Sequence, residues 1–144
     1  MSTLKRSKRN RLKEVAQKPC CFCKRLMLRP GSEEAENNPG LTCSEEHYVP
    51  KCRGGSNDAH NIKYSCYRCN QLKGALLPEI FEPFARIILT QYANVPMPLL
   101  RDALKQYIYS LAEIAVRNTT ATKKAVLVTK LQIGEQIKGR GIDV

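Results

Sequence analysis

The chain has 144 residues, 42% of them hydrophobic, and carries a formal net charge of +11 with a sequence pI near 9.5. Such a length favours one domain, or a small domain with an appendage. Nothing is apolar for long enough to span a membrane, and the opening MSTLKRSKRNRLKE lacks the apolar stretch of a secretory signal. These features point to an intracellular protein with a polyanionic partner, made in a prokaryotic cytoplasm or there for a virus or mobile element.

In chain order, residues 1–19 form a basic N-terminal arm with helical potential, ended by Pro19; Leu4, Leu12 and Val15 are too sparse for a strong apolar face. Residues 1–29 hold ten Lys or Arg against one acid, Glu14, so this end supplies most of the net charge. Residues 20–78 are rich in Cys, Gly, Asn and turn signals. Pro30-Gly31 and Asn37-Asn38-Pro39-Gly40 predict turns, with Glu33, Glu34 and Glu36 in a solvated loop between them. Residues 41–49 read as a strand, 50–59 as a loop in which Gly54-Gly55 permits sharp backbone angles, 61–65 as a second strand, and 66–76 as a helix ending near Gly74.

Residues 79–144 lose Cys and His and become helical. Ile80, Phe81, Phe84, Ile87 and Ile88 fall on one face; Asn94, Pro96 and Pro98 interrupt it. Leu100, Leu104, Tyr107, Ile108, Leu111 and Ile114-Ala115 give the clearest amphipathic helix. A third helix runs from about Thr120 to Lys138, although Val126-Leu127-Val128 is equally strand-like; Gly139 and Gly141 mark its end. There is no internal repeat.

Seven cysteines, an odd number without a secretory signal, argue against a disulfide framework. Cys20-x2-Cys23 and Cys66-x2-Cys69 are instead two knuckles, each able to present two thiolates from one tight turn, and together they close a tetrahedral structural Zn²⁺ site. Cys21 is the alternative to Cys20, but only Cys20 keeps the two-residue gap. Cys43 and Cys52 have no such partner and read as buried or free thiols. The 42 residues between the knuckles exceed zinc-ribbon spacing, so a substantial insertion is expected.

That insertion holds the chemistry. Phosphodiester hydrolysis needs a base to activate water and a cation to stabilise charge on the phosphate and the leaving oxygen. Glu46-His47 puts a carboxylate beside an imidazole at a strand end, and Asn70 adds a second hard oxygen from the following helix, suited to Mg²⁺ or Mn²⁺. The order Glu46-His47-x-x-Pro50, Gly54-Gly55, Asn61-Ile62, Cys66-x2-Cys69-Asn70-x2-Lys73-Gly74 resembles the HNH endonuclease family, whose core is the ββα-metal finger. The motif covers about residues 41–76, and the Cys20–Cys23 knuckle extends it to 20–76.

The resemblance implies an α+β fold: a zinc-stapled ββα finger over 20–78, with the basic arm before it and a helical C-terminal region, 79–144, after it. It implies a metal-dependent DNA endonuclease in which His47 is the general base, Glu46 and Asn70 hold the catalytic ion, and Asn61 braces the loop and orients the His. Glu46 departs from the Asp common at its position, which bears on metal preference. His60 and Glu45 read as solvent-facing. Lys5, Arg6, Lys8, Arg9, Arg11, Arg53 and Lys73 are candidates for phosphate contact, as is Lys51; for Lys51, Arg53 and Lys73 a solvated role is the equal alternative. DNA is the expected partner and RNA stays open. The C-terminal helices are expected to complete the finger's core, with homodimerisation or DNA contact as alternative uses. The main rival is a non-catalytic, zinc-dependent nucleic-acid-binding protein; a partner-binding protein acting through its helical half is a more distant one.

Overall fold

Residues 3–92, 94–115 and 121–141 are described by a computed structural model, in which the chain divides into two units, Met1–Pro78 and Glu79–Val144. The first opens with helix α1, Thr3–Val15. It stops short of Pro19 because Gln17 takes a left-handed conformation (φ 67°), and its N–H donates to the Met27 carbonyl at 2.7 Å. Pro19 itself bridges Leu26, closing the first cysteine knuckle into a small hairpin. Lys24, with φ 64°, makes the turn.

The acidic loop expected after Pro30-Gly31 is a short helix, α2, Glu33–Asn37. Ser32 caps it: its Oγ accepts from the Ala35 N–H at 3.2 Å, and Glu33, Glu34 and Glu36 favour the positive end of the peptide dipoles. Ala35 is its buried anchor. A 3-10 turn, Pro39–Leu41, leads into strand β1, Cys43–His47. Strand β2, Ile62–Cys66, pairs with it antiparallel, from Cys43 opposite Cys66 to His47 opposite Ile62. β1 is shorter than the sequence pattern because the carbonyls of Leu41 and Thr42 already serve Leu28 and Tyr67. Helix α3, Tyr67–Lys73, follows β2 at once, with Cys66 as N-cap and Gly74 (φ 50°) as terminator.

The second unit contains helices α4 (Pro78–Phe84), α5 (Met97–Ala115) and α6 (Ala121–Arg140). Pro83 lies inside α4 and withdraws a backbone donor, and residues Ala85–Leu89 continue as a wider π-turn. The extra residue shifts the register: Phe81, Phe84, Ala85, Ile88 and Leu89 are buried, while Ile87, expected on the same face, is 39% exposed. Tyr107 from α5 is fully buried, packs on Phe84 at 5.5 Å between ring centroids, and donates from its hydroxyl to the Ile80 carbonyl at 2.8 Å. In α6 the ambiguous Val126-Leu127-Val128 run is helical, and Ala125, Val126, Thr129, Ile133 and Ile137 form its inner face. The side chains of Ile114 and Ala115, and Thr120, lie outside the described residues. Among the described residues no helix is long and apolar enough to cross a membrane.

One glycine is fixed by contact. A side-chain carbon on Gly55 would overlap the Val49 carbonyl, because the loop after β1 folds back on itself there. Gly55→Ala should therefore destabilise the first unit by about 1–3 kcal/mol in chemical denaturation, while Gly139→Ala, which meets open space in α6, should be neutral or mildly stabilising.

Candidate metal centre and active site

The sulfurs of Cys20, Cys23, Cys66 and Cys69 all lie within 4.8 Å of one another, and all four residues are buried. Cys23 Sγ and Cys66 Sγ are 3.8 Å apart, the edge of a tetrahedron with metal–sulfur bonds of about 2.3 Å. Backbone N–H groups point at the cluster: Phe22 and Cys66 donate to Cys20 Sγ, and Cys69 donates to Cys66 Sγ. Such donors stabilise thiolate over thiol. Hydrogen bonds from Cys21, and then from the three partner thiols, push the Cys20 thiol down. The four cysteines are positioned to bind a metal, and the all-sulfur donor set suits a structural zinc. Cys21 lies outside the set, Cys43 is buried in β1, and Cys52 is exposed.

Beside this cluster the hairpin presents two faces. Successive strand residues point to opposite sides, and cross-strand partners share one. Ser44 and Glu46 face α3. Asn70 donates its amide N–H to Ser44 Oγ at 3.1 Å and, more weakly, to the Glu45 carbonyl at 3.5 Å. One turn on, Lys73 Nζ sits 3.0 Å from Glu46 Oε1 and donates to the His47 carbonyl at 3.4 Å. Lys73 is buried completely, with its ammonium 5.8 Å from the centre of the Phe22 ring. Burial pushes the Glu46 carboxyl up, and Lys73 pulls it part of the way back.

Lys73 was expected at a phosphate; its burial against Glu46 corrects that expectation. Glu46 Oε2 is buried and has no hydrogen-bond partner among the described residues, so this oxygen retains capacity for a cation. Asn70 uses its nitrogen on Ser44, leaving its oxygen as the atom able to meet a hard ion. A carboxylate oxygen and a carboxamide oxygen are the donor types that hard divalent cations take.

The other face carries Glu45, His47, Ile62 and Tyr64. Arg11 of α1 pairs with Glu45 at 3.1 Å, pinning the helix to β1. An open cleft of about 360 Å³ is lined by Arg11, Asn57, Ala59, Ile62 and Tyr64. His47 Nε2 lies 3.0 Å from Asn57 Oδ1, a contact that nothing in the motif singled out. Asn61 is buried: its Oδ1 accepts from the Val49 N–H at 2.9 Å, and its Nδ2 donates to the carbonyls of Val49 (3.0 Å) and Ser56 (2.8 Å). It thus clamps both sides of the loop after His47.

The expected phosphate-contacting groups are spread along the unit. Lys8 is exposed on α1, and the side chains of Lys5, Arg6 and Arg9 lie outside the described residues. Arg53 is exposed and donates from Nε to the Ala75 carbonyl at 2.9 Å. His60 is exposed on a 3-10 turn.

Residues 34–83 match the HNH endonuclease family model. This segment is thus similar to HNH endonucleases, a likeness that suggests a nuclease or nucleic-acid-binding function. The match covers β1, β2, α3 and the second knuckle, and leaves Cys20, Cys23 and most of the C-terminal helices outside. No curated protein and no solved structure was found to match the chain.

Two outcomes are expected here. Cys69→Ser should lower bound zinc from about one ion per chain toward none, measured by elemental analysis, and should unfold the HNH unit. Lys73→Met leaves the Glu46 carboxylate buried without its cation and should cost about 3–5 kcal/mol, measured by urea denaturation; adding Glu46→Leu should recover most of that loss.

Proposed function

We propose that the protein is a metal-dependent DNA endonuclease of HNH type that hydrolyses phosphodiester bonds. The observation that carries this is the adjacency, inside the HNH match, of His47 on the cleft face and a buried carboxylate, Glu46, with an unpartnered oxygen on the seam face. In this reading Glu46 and Asn70 hold Mg²⁺ or Mn²⁺, which when bound supplies positive charge to the phosphate and the departing 3′ oxygen. Neutral His47 accepts a proton from a water molecule as the water oxygen attacks phosphorus. The bond from phosphorus to the 3′ oxygen breaks, leaving 5′-phosphate and 3′-hydroxyl ends. Asn61 keeps the loop behind His47 closed, and the four cysteines hold a zinc that takes no part in the chemistry. Helix α1, with Lys5, Arg6, Lys8, Arg9 and Arg11, and Arg53 near the loop contact backbone phosphates without reading sequence. The arm, finger and helical region act as three parts, with the helices available to pair two copies so that two sites cut both strands.

The rival reading, a non-catalytic nucleic-acid-binding module, draws on the ion pair between Lys73 and Glu46, which already occupies one carboxylate oxygen. A plasmid nicking assay with Mg²⁺, Mn²⁺ or chelator separates the two. Cleavage that requires a divalent ion is expected, and His47→Ala should reduce it by about 10²–10⁴-fold with folding and DNA affinity nearly unchanged. Undiminished cleavage by His47→Ala would remove His47 as the base, and wild-type DNA binding without cleavage would leave the rival.

A further inference from the structure

We infer that Asn57 is the positioning residue of the general base: its side-chain oxygen takes the Nε2–H of His47 and so leaves Nδ1 as the atom that receives the proton. The inference rests on the reading of His47 as the base. The contact is 3.0 Å, and a carboxamide oxygen is an acceptor only, so Nε2 must carry the hydrogen. In a neutral imidazole the other nitrogen then holds the lone pair.

The loop is built to hold Asn57 in place. On one side, the Ser56 carbonyl accepts from Asn61 Nδ2 at 2.8 Å. On the other, the Asp58 N–H donates to Ser56 Oγ at 3.3 Å, and the Asp58 carbonyl accepts from the Asn61 N–H at 2.9 Å. Gly55 allows the chain to press on the Val49 carbonyl just before it. Asn57 is thus the exposed tip of a clamped turn, aimed at a ring whose strand partner is Ile62. His47 has its backbone held as well, since its carbonyl accepts from buried Lys73. Asn57 also lines the cleft beside Arg11 and Tyr64, so its effect falls where a substrate phosphate has room to enter.

As the base takes a proton at Nδ1, the bond from Nε2 to Asn57 strengthens, because the donor becomes cationic. Asn57 therefore orients the ring without touching water or phosphorus. An amide turned the other way would present its NH₂ to Nε2 and select the opposite tautomer, so the two arrangements are experimentally distinct.

The test uses the full chain labelled with ¹⁵N at its histidine rings, without added divalent ion, at a pH well above the imidazole range. The chain has only two histidines, and exposed His60 is the internal reference. The expected result is a His47 ring with hydrogen on Nε2 and slow exchange of that proton. Asn57→Ala should lose the slow exchange, whereas Asn57→Asp, which keeps an acceptor oxygen, should retain it. In cleavage, Asn57→Ala should lower kcat by about tenfold or more with KM unchanged. A hydrogen on Nδ1, or an exchange rate and kcat indifferent to Asn57→Ala, would overturn the inference. A wild-type chain with the expected ring signal but no cleavage would refute the nuclease reading and still support the pairing.

Discussion

Four sulfurs drawn from two distant stretches of chain determine where every other group of the first unit can sit. Cys20 and Cys23 come from a turn just after α1, and Cys66 and Cys69 from the joint between β2 and α3. A two-stranded hairpin with one short helix has too little apolar area to order itself. Bringing the knuckles together closes a long loop, and a metal bound to four thiolates supplies the free energy for that closure. Because Cys66 is at once the last residue of β2 and the N-cap of α3, the cluster sets the angle at which the helix leaves the sheet. That angle places Asn70 and Lys73 against Ser44 and Glu46.

Phe22 transmits this constraint toward the site. It lies between the two cysteines of the first knuckle and is completely buried. Its ring stacks on Tyr48, the residue after His47, at 6.0 Å and 7° between planes, and its face also meets the Lys73 ammonium. The knuckle thus packs against both flanks of the Glu46-His47 pair. The carboxylate is reached through Lys73 and the imidazole through the backbone of Tyr48. A four-cysteine cluster can in this way govern the geometry of the Glu46-His47 pair.

Much of this was legible in the sequence, for a physical reason. Cys-x2-Cys pairs, glycine pairs and a β-β-α pattern are local signals, and so the knuckles, the hairpin, α3 and the HNH motif were read at nearly their observed positions. What escaped depends on facing elements or on local turns. Lys73 looked like a surface cation because nothing near it in sequence reveals the Glu46 carboxylate across the seam. Asn57 carries no local signal, because its partner is ten residues away and their meeting depends on the clamp made by Asn61. The α2 helix was hidden by its length, although Ser32 followed by three acids is a start signal. The shift from Ile87 to Leu89 followed from Pro83, whose effect on register a simple helical wheel does not include.

The choice of Glu at position 46 gains meaning from Lys73. The carboxylate must leave β1, meet an ammonium projecting from α3, and keep one oxygen for other use. An Asp would hold its oxygens closer to the strand by about one carbon–carbon bond, roughly 1.5 Å. At that reach the contact with Lys73, now 3.0 Å, would open unless the helix moved inward, and the helix is held by Cys66 and Cys69. The ion pair also answers a cost that the fold creates: a carboxylate this buried resists ionisation, and Lys73 offsets that resistance at Oε1 while leaving Oε2 without a partner. A cation joining Oε2 would then share the carboxylate with an ammonium already at Oε1. Glu46 and Lys73 therefore form one buried unit, so an ion held at Oε2 in the proposed reading would answer to the pair and not to the carboxylate alone.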